Sequence, residues 1–209
     1  ASDVYKRQPY GRNFLGTPPQ GRADYAFIQH ILKSMDPHTG RCSILLPHGV
    51  LFRNEESEMR ERLVRSDLVE AVIGLGANLF FNSPMEACIL ICRSEKAPNR
   101  SKKILFVDAS AEVTRKNAQS YLEPQHIKRI VDAYRSDEDI EGFSSHASFS
   151  ELEGNAFSLS IPLYVKPSND ENADDRSIEE TVESWRAAST EAASLLDIIA
   201  AKLHENDGE

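Results

Sequence analysis

A proline, an aromatic residue and a glycine stand in a row at Pro9-Tyr10-Gly11, followed by Arg12-Asn13-Phe14 and a loop that runs to Gln20-Gly21. Proline fixes one backbone angle and glycine frees the next, so such a turn can hold an aromatic face open for a planar partner. Arg12 and Asn13 have the polar groups to touch a phosphate or a base edge, although polar loop residues are commonplace. Tyr10 is the residue here for which a functional reading leads. His48 follows a short apolar run and reads as a surface or hydrogen-bonded histidine; His30 lies within a helical pattern and reads as structural.

The three cysteines, Cys42, Cys88 and Cys92, are odd in number and sit in apolar segments. They read as reduced core residues of a cytoplasmic protein. Cys88 and Cys92 lack the two-residue gap of a metal knuckle and have no histidine nearby in sequence, so no metal site is expected. The formal net charge of -9 weakens a reading based on broad contact with nucleic-acid phosphates, without excluding nucleic acid altogether. Much of the acid falls in 137–141, 170–175 and 179–183, which read as solvated linker and helix faces. No apolar run is long enough to cross a bilayer, and 1–8 has no signal-peptide core.

The elements that must position the turn follow in order. Phe27, Ile28, Ile31, Leu32 and Met35 recur at helical spacing and predict a helix over 24–35, with Asp24 as its cap. The run 42–46, between Gly40 and Pro47, predicts a buried strand of a parallel sheet. A helix over 55–64 capped by Asn54 comes next, then strands over 68–75, 87–93 and 103–107, the last two as an antiparallel hairpin. A Gly/Asn/Pro-bearing loop over 76–84 carries Phe80-Phe81. This order is that of an α/β domain, the second half of a doubly wound sheet. Ligands of such sheets sit at the carboxyl ends of strands. The loops at Pro9, at Pro47-His48 and at Phe80-Phe81 are therefore expected along one rim.

Beyond residue 110 an accessory segment over 111–165 is expected. It contains a helix over 124–134 and a half-exposed strand in which Phe157, Leu159 and Ile161 alternate with serines. An acidic linker, 166–176, leads to a helical arm over 177–209. Ser177 and Glu180 form a capping box there. Ile178, Val182, Trp185, Ala192, Leu196, Ile199 and Leu203 make a heptad seam on the order of 40 Å long. That helix either packs on its own domain or docks a partner.

Taken together, Pro9-Tyr10-Gly11, Ala23-Asp24-Tyr25-Ala26-Phe27-Ile28-Gln29-His30 and Gly40-Arg41-Cys42-Ser43-Ile44-Leu45-Leu46-Pro47-His48-Gly49 resemble adenine-N6 DNA methyltransferases. The resemblance is to the modification (M) subunit of type I restriction-modification systems and runs from Pro9 to about Val165. No single motif carries it; the succession of segments does. It implies a Rossmann-like, S-adenosylmethionine-dependent methyltransferase sheet. It also implies DNA, a DNA-specificity (S) subunit, a restriction (R) subunit and a second M copy as partners.

The family's catalytic loop reads Asn/Asp-Pro-Pro-Tyr/Phe. Its side-chain and carbonyl oxygens accept hydrogen bonds from the amino group of a flipped adenine, and the aromatic stacks on the base. Pro9 then matches the second proline and Tyr10 the aromatic. Arg7 stands where Asn or Asp belongs and has only donors. Gln8 replaces the first proline and retains its backbone carbonyl as an acceptor. By the same resemblance Phe81 is a candidate second aromatic against the base, while Phe80 packs as core; Arg12 and Asn13 remain candidates to touch the base or a phosphate. The Gly-rich cofactor turn is expected upstream of residue 1; Gly74-x-Gly76 reads as an ordinary loop. Residues 1–8 read as a non-native lead-in, and the isolated chain is expected to be inactive. Two other readings remain: a non-catalytic fragment that binds the specificity subunit through its C-terminal helix, and an unrelated α/β domain with a small-molecule pocket.

Overall fold

A computed structural model describes residues 11–81, 83–117 and 119–166, together with Trp185, Arg186 and Thr190. The chain divides into two compact units, Ala1–Ser168 and Asn169–Glu209. The expected lead-in 1–8, the linker (apart from Lys166) and the heptad arm (apart from those three residues) lie outside the described residues.

In the first unit, helix α1 (Asp24–Ser34) leads to strand β1 (Arg41–Pro47), and helix α2 (Ser57–Arg65) to β2 (Val69–Leu75). Strands β3 (Ala87–Arg93) and β4 (Lys103–Ala109) follow, then a small hairpin of β5 (Thr114–Lys116) and β6 (Gln119–Tyr121). Helix α3 (Pro124–Arg135), strand β7 (Ser144–Ser148) and helix α4 (Phe149–Gly154) complete the regular structure. Five strands form one mixed sheet in the order β1-β3-β2-β4-β7. The β2–β4 pair is parallel, and β1–β3, β2–β3 and β4–β7 are antiparallel.

The sheet is buried from both sides. Val72, Leu90 and Phe106 join Tyr25, Ile28 and Leu32 of α1 and Leu63 of α2 in one cluster. Ile73, Leu105 and Val107 join Ile130 and Ala133 of α3 in the other. The alternation of neighbouring residues between these clusters is the two-residue period of a strand read on both faces. All seven residues of β2 are buried, because it has a strand on each edge and helices on each face. Its one carboxylate, Glu70, accepts a hydrogen bond from the Tyr134 hydroxyl at 2.7 Å.

Several expectations are corrected. Strand 42–46 is not a two-sided parallel strand: β1 pairs antiparallel with β3 and with no other strand among the described residues. Its side chains accordingly alternate, with Ile44 and Leu46 buried and Leu45 52% exposed. Strands β3 and β4 do not form a hairpin. The apolar β2 takes a neighbour on each edge, so β3 and β4 lie on opposite sides of it. Helix α1 turns Phe27 outward, 57% exposed, and buries Gln29 instead. Asp24 does not cap α1; Ala23 holds that position and the Asp24 carboxylate pairs with Arg53. Asn54 opens a short 3-10 turn, and the α-helix begins three residues later at Ser57.

The stretch 111–165 is not set apart from the sheet. It supplies β7, and Leu152, Phe157, Leu159, Ile161 and Val165 enter the first core cluster. The strand expected through Phe157 and Ile161 is absent. Ala156 and Phe157 adopt left-handed backbone angles (φ 51° and 54°) after α4, and the segment ends in a 3-10 turn at Ile161–Leu163. All three apolar residues are buried, so their spacing reflects burial without a ladder. Cys88 and Cys92 are buried as expected, while Cys42 is half-exposed. Among the described residues, no helix is long and apolar enough to cross a membrane.

Candidate functional site

Strands β1, β2 and β4 point the same way, since β3 lies antiparallel between β1 and β2 and β4 runs parallel to β2. Their carboxyl ends come into register: Pro47 and Leu75 both face Ala87, and Leu75 also faces Ala109. Three connections therefore open on one rim, after Pro47, after Leu75 and after Ala109.

The first two build a groove. A cavity of about 230 Å³ is walled by Leu45, Leu46 and Pro47 on one side and by Phe80, Met85 and Ala87 on the other. At its mouth His48 Nδ1 stands 3.4 Å from a carboxylate oxygen of Glu86, and the His48 ring meets Phe52 edge-on at 6.0 Å. Phe80 lines the groove and is half-buried; Phe81 is 85% exposed. In the segment between them and β3, Ser83 N–H donates to the Phe80 carbonyl at 3.1 Å and the Glu86 carbonyl accepts from His48 N–H at 3.3 Å.

The loop after Gly11 is tied at its end to the segment after β1. Asp24, at the start of α1, pairs with Arg53, which follows the end of β1. Arg53 also lies 3.1 Å from the carboxylate of Glu56, which is fully buried. Burial pushes the Glu56 carboxyl above its ordinary range, and the Arg53 guanidinium opposes that rise. Burial likewise raises the Tyr25 phenol next to it. Upstream, Leu15 is a core residue, 2% exposed, although the stretch around it has no regular structure. Its main chain is held by side chains: the Gln29 carboxamide oxygen accepts from Leu15 N–H at 2.8 Å, and Arg62 donates to the Leu15 carbonyl at 2.9 Å. Arg12 and Asn13 are both half-buried, just before this anchor.

Of the residues singled out by sequence, Phe81 and His48 are found at the rim, while Arg12 and Asn13 precede the Leu15 anchor on α1 and α2. Gln8, Pro9 and Tyr10 lie outside the described residues. His30 is exposed on α1. The anchoring residues Gln29, Arg53 and Arg62 went unnoticed. For Gln29 a signal existed, since Tyr25, Ile28, Gln29 and Leu32 fall at the spacing of one helical face. A glutamine on a buried stripe needs polar partners.

Gly74 and Gly76 do not open a phosphate-cradling turn. A Cβ on Gly74 would stand 2.6 Å from Ile161, and one on Gly76 would stand 2.5 Å from the Ser110 carbonyl oxygen. Both glycines serve close packing within this domain.

The family model described as N-6 DNA Methylase matches residues 2–173. The chain belongs to that family. The type I restriction enzyme MjaVII methylase subunit of Methanocaldococcus jannaschii is 33% identical over 205 residues, spanning 93% of this chain and 35% of that protein. The HindI methylase subunit of Haemophilus influenzae is 30% identical over 75% of this chain and 37% of its own length. This methylase chain therefore spans about a third of the curated relatives it matches. Among solved structures, the type I restriction-modification methyltransferase subunit from Streptococcus thermophilus superposes with a TM-score of 0.72 at 37% identity. The match covers 79% of this chain and 35% of that one. The EcoKI M protein shares the fold, with a TM-score of 0.60 at 14% identity. The mixed α/β sheet is thus a methyltransferase-like fold of the type I methylase subunits.

Proposed function

We propose that this methylase chain carries the adenine-binding side of a type I DNA adenine-N6 methyltransferase. The observation that supports this reading is the rim, where the groove between Pro47 and Phe80 and the exposed Phe81 stand at the carboxyl ends of β1 and β2. An exocyclic adenine amine is a weak nucleophile because its lone pair is delocalised into the ring. Acceptors aimed at its hydrogens favour a pyramidal nitrogen, and the Gln8 carbonyl is the acceptor this chain offers. Tyr10, following Pro9, stacks on the flipped base, a contact of about 1–3 kcal/mol. Phe81 offers a second aromatic face, and Arg12 and Asn13 contact the base or its phosphate.

S-adenosylmethionine supplies the methyl group in such enzymes. The tightly packed Gly74 and Gly76 do not fit it, so its site is not assigned to them. The proposed partners are DNA, a specificity subunit that reads the target, a restriction subunit and a second modification subunit.

The test is methyl transfer by the full-length subunit assembled with its specificity subunit, using labelled S-adenosylmethionine and DNA containing the target. Tyr10→Ala should lower the rate of transfer at least about 100-fold while donor binding is kept. A Tyr10→Ala enzyme with the wild-type rate would sink the proposal.

A further inference from the structure

The anchor of the 11–22 loop is built from side chains where secondary structure would ordinarily do the work. Gln29 is 0% exposed. Both ends of its carboxamide are spent on the loop: Oε1 accepts from Leu15 N–H at 2.8 Å, and Nε2 donates to the Gly16 carbonyl at 3.1 Å. Arg62, on a different helix, donates from Nη1 to the Leu15 carbonyl at 2.9 Å. Gly16 N–H closes the turn by donating to the Asn13 carbonyl at 3.1 Å. Leu15 and Gly16 thus have four backbone polar groups, and all four are satisfied by this arrangement.

The turn admits little alternative. Gly16 has φ +126°, and a Cβ there would stand 3.0 Å from Arg62 Nη1. Both the backbone angle and the space call for glycine. The Leu15 side chain is meanwhile seated in the core beside α1 and α2. Hydrophobic burial alone would fix the depth of Leu15 and leave the direction of the backbone free. Directional hydrogen bonds to its N–H and both carbonyls remove that freedom. An apolar side chain at 29 would fill the same space without fixing a path for the loop.

Resting on the function proposed above, we propose that Gln29 and Arg62 are positioning residues for methyl transfer: they set the path of Asn13–Gly16 and thereby place Arg12 and Asn13 for the target adenine. Neither side chain touches the base. They act through the main chain, and a small displacement of a reacting group is enough to cost about 100-fold in rate.

The experiment uses the full-length subunit assembled with its specificity subunit and an oligonucleotide carrying 2-aminopurine at the target adenine. Gln29→Leu and Arg62→Met should each lower kcat by about 10- to 100-fold and reduce the 2-aminopurine signal of the flipped base. KM for S-adenosylmethionine should stay unchanged. Arg62→Lys should recover much of the loss, because a single N–H reaches the Leu15 carbonyl. Gln29→Glu should fall between, keeping the acceptor and losing the donor. Gln29 is buried and its leucine variant is open to misfolding. Arg62→Met loses only a 3.5 Å surface pair with Glu58 besides the Leu15 carbonyl contact, so its melting temperature is measured beside kcat and the assay is run well below it, which separates lost aim from lost fold. Wild-type kcat and flipping in Arg62→Met would overturn the proposal. So would a loss in both variants that only follows thermal inactivation and vanishes on cooling. A wild-type assembly that transfers no methyl group would overturn the function proposed above, and this inference with it. An active wild type with unaffected variants would overturn this inference alone.

Discussion

Two loops of the sheet domain are built in opposite ways. The loop 11–23 has no regular structure, yet it seats Leu15 in the core and is tied to α1 and α2 by Gln29 and Arg62, while Asp24 at its end pairs with Arg53 after β1. The loop 76–86 is fixed at its root, where Gly76 packs against the Ser110 backbone, and open at its tip, where Phe81 and Met85 are exposed. One loop is tied down by buried side chains, and the other carries an aromatic ring into solvent.

The largest expected effect tests the tie between the anchored loop and the sheet. Arg53→Met removes the cation shared by Asp24 and the buried Glu56. Breaking a buried pair from one side should cost about 3 kcal/mol in urea unfolding. The pH dependence gives a second reading. Glu56 already has a raised carboxyl, and without Arg53 it rises further. A raised folded-state value means that folding retains a proton. Stability is then full below the unfolded value and is lost as pH rises through the folded one. The deficit of Arg53→Met relative to wild type should therefore grow as pH rises from about 4.5. A deficit independent of pH would remove Glu56 from the account.

Leu15→Ala comes next. A buried leucine cut to alanine costs about 2–5 kcal/mol, and the lower half of that range is expected in a loop that can partly collapse. A cost under about 0.5 kcal/mol would show that the two loops are equally loose. The smallest effect on folding is expected at the open loop. Phe81→Ala should leave stability within about 0.5 kcal/mol of wild type, because the ring is already in solvent. In the assembled methyltransferase the same change should weaken capture of the flipped base by about 1–3 kcal/mol, read with 2-aminopurine. Lost stability with unchanged capture would reverse the contrast.

The strands were legible because their apolar runs are short and bounded: 87–93 was placed at its observed limits, and 68–75 and 103–107 within two residues. Pairing was not legible. The runs at β1 and β2 look alike in composition, but one is an outer strand with Leu45 exposed and the other is enclosed on all sides. Alternation in 157–161 looked like a strand because burial every second residue does not require a ladder partner. Phe81 was named from the loop it occupies, and it is exposed at the tip of that loop. Sequence alone passed over Gln29 and Arg62, whose partners are backbone atoms 13 to 47 residues away.

The sequence by itself determined the α/β class and the family, since these rest on local periodicity, turn residues and the order of segments. Tertiary structure alone decided the rest. It placed β3 between β1 and β2, brought β7 into the main sheet and turned Phe27 out while Gln29 turned in. It also tied one loop down and left the other open. The physical reason is that hydrogen bonds from buried side chains to a distant main chain leave no periodic trace in the sequence, and only the folded chain brings their two ends together.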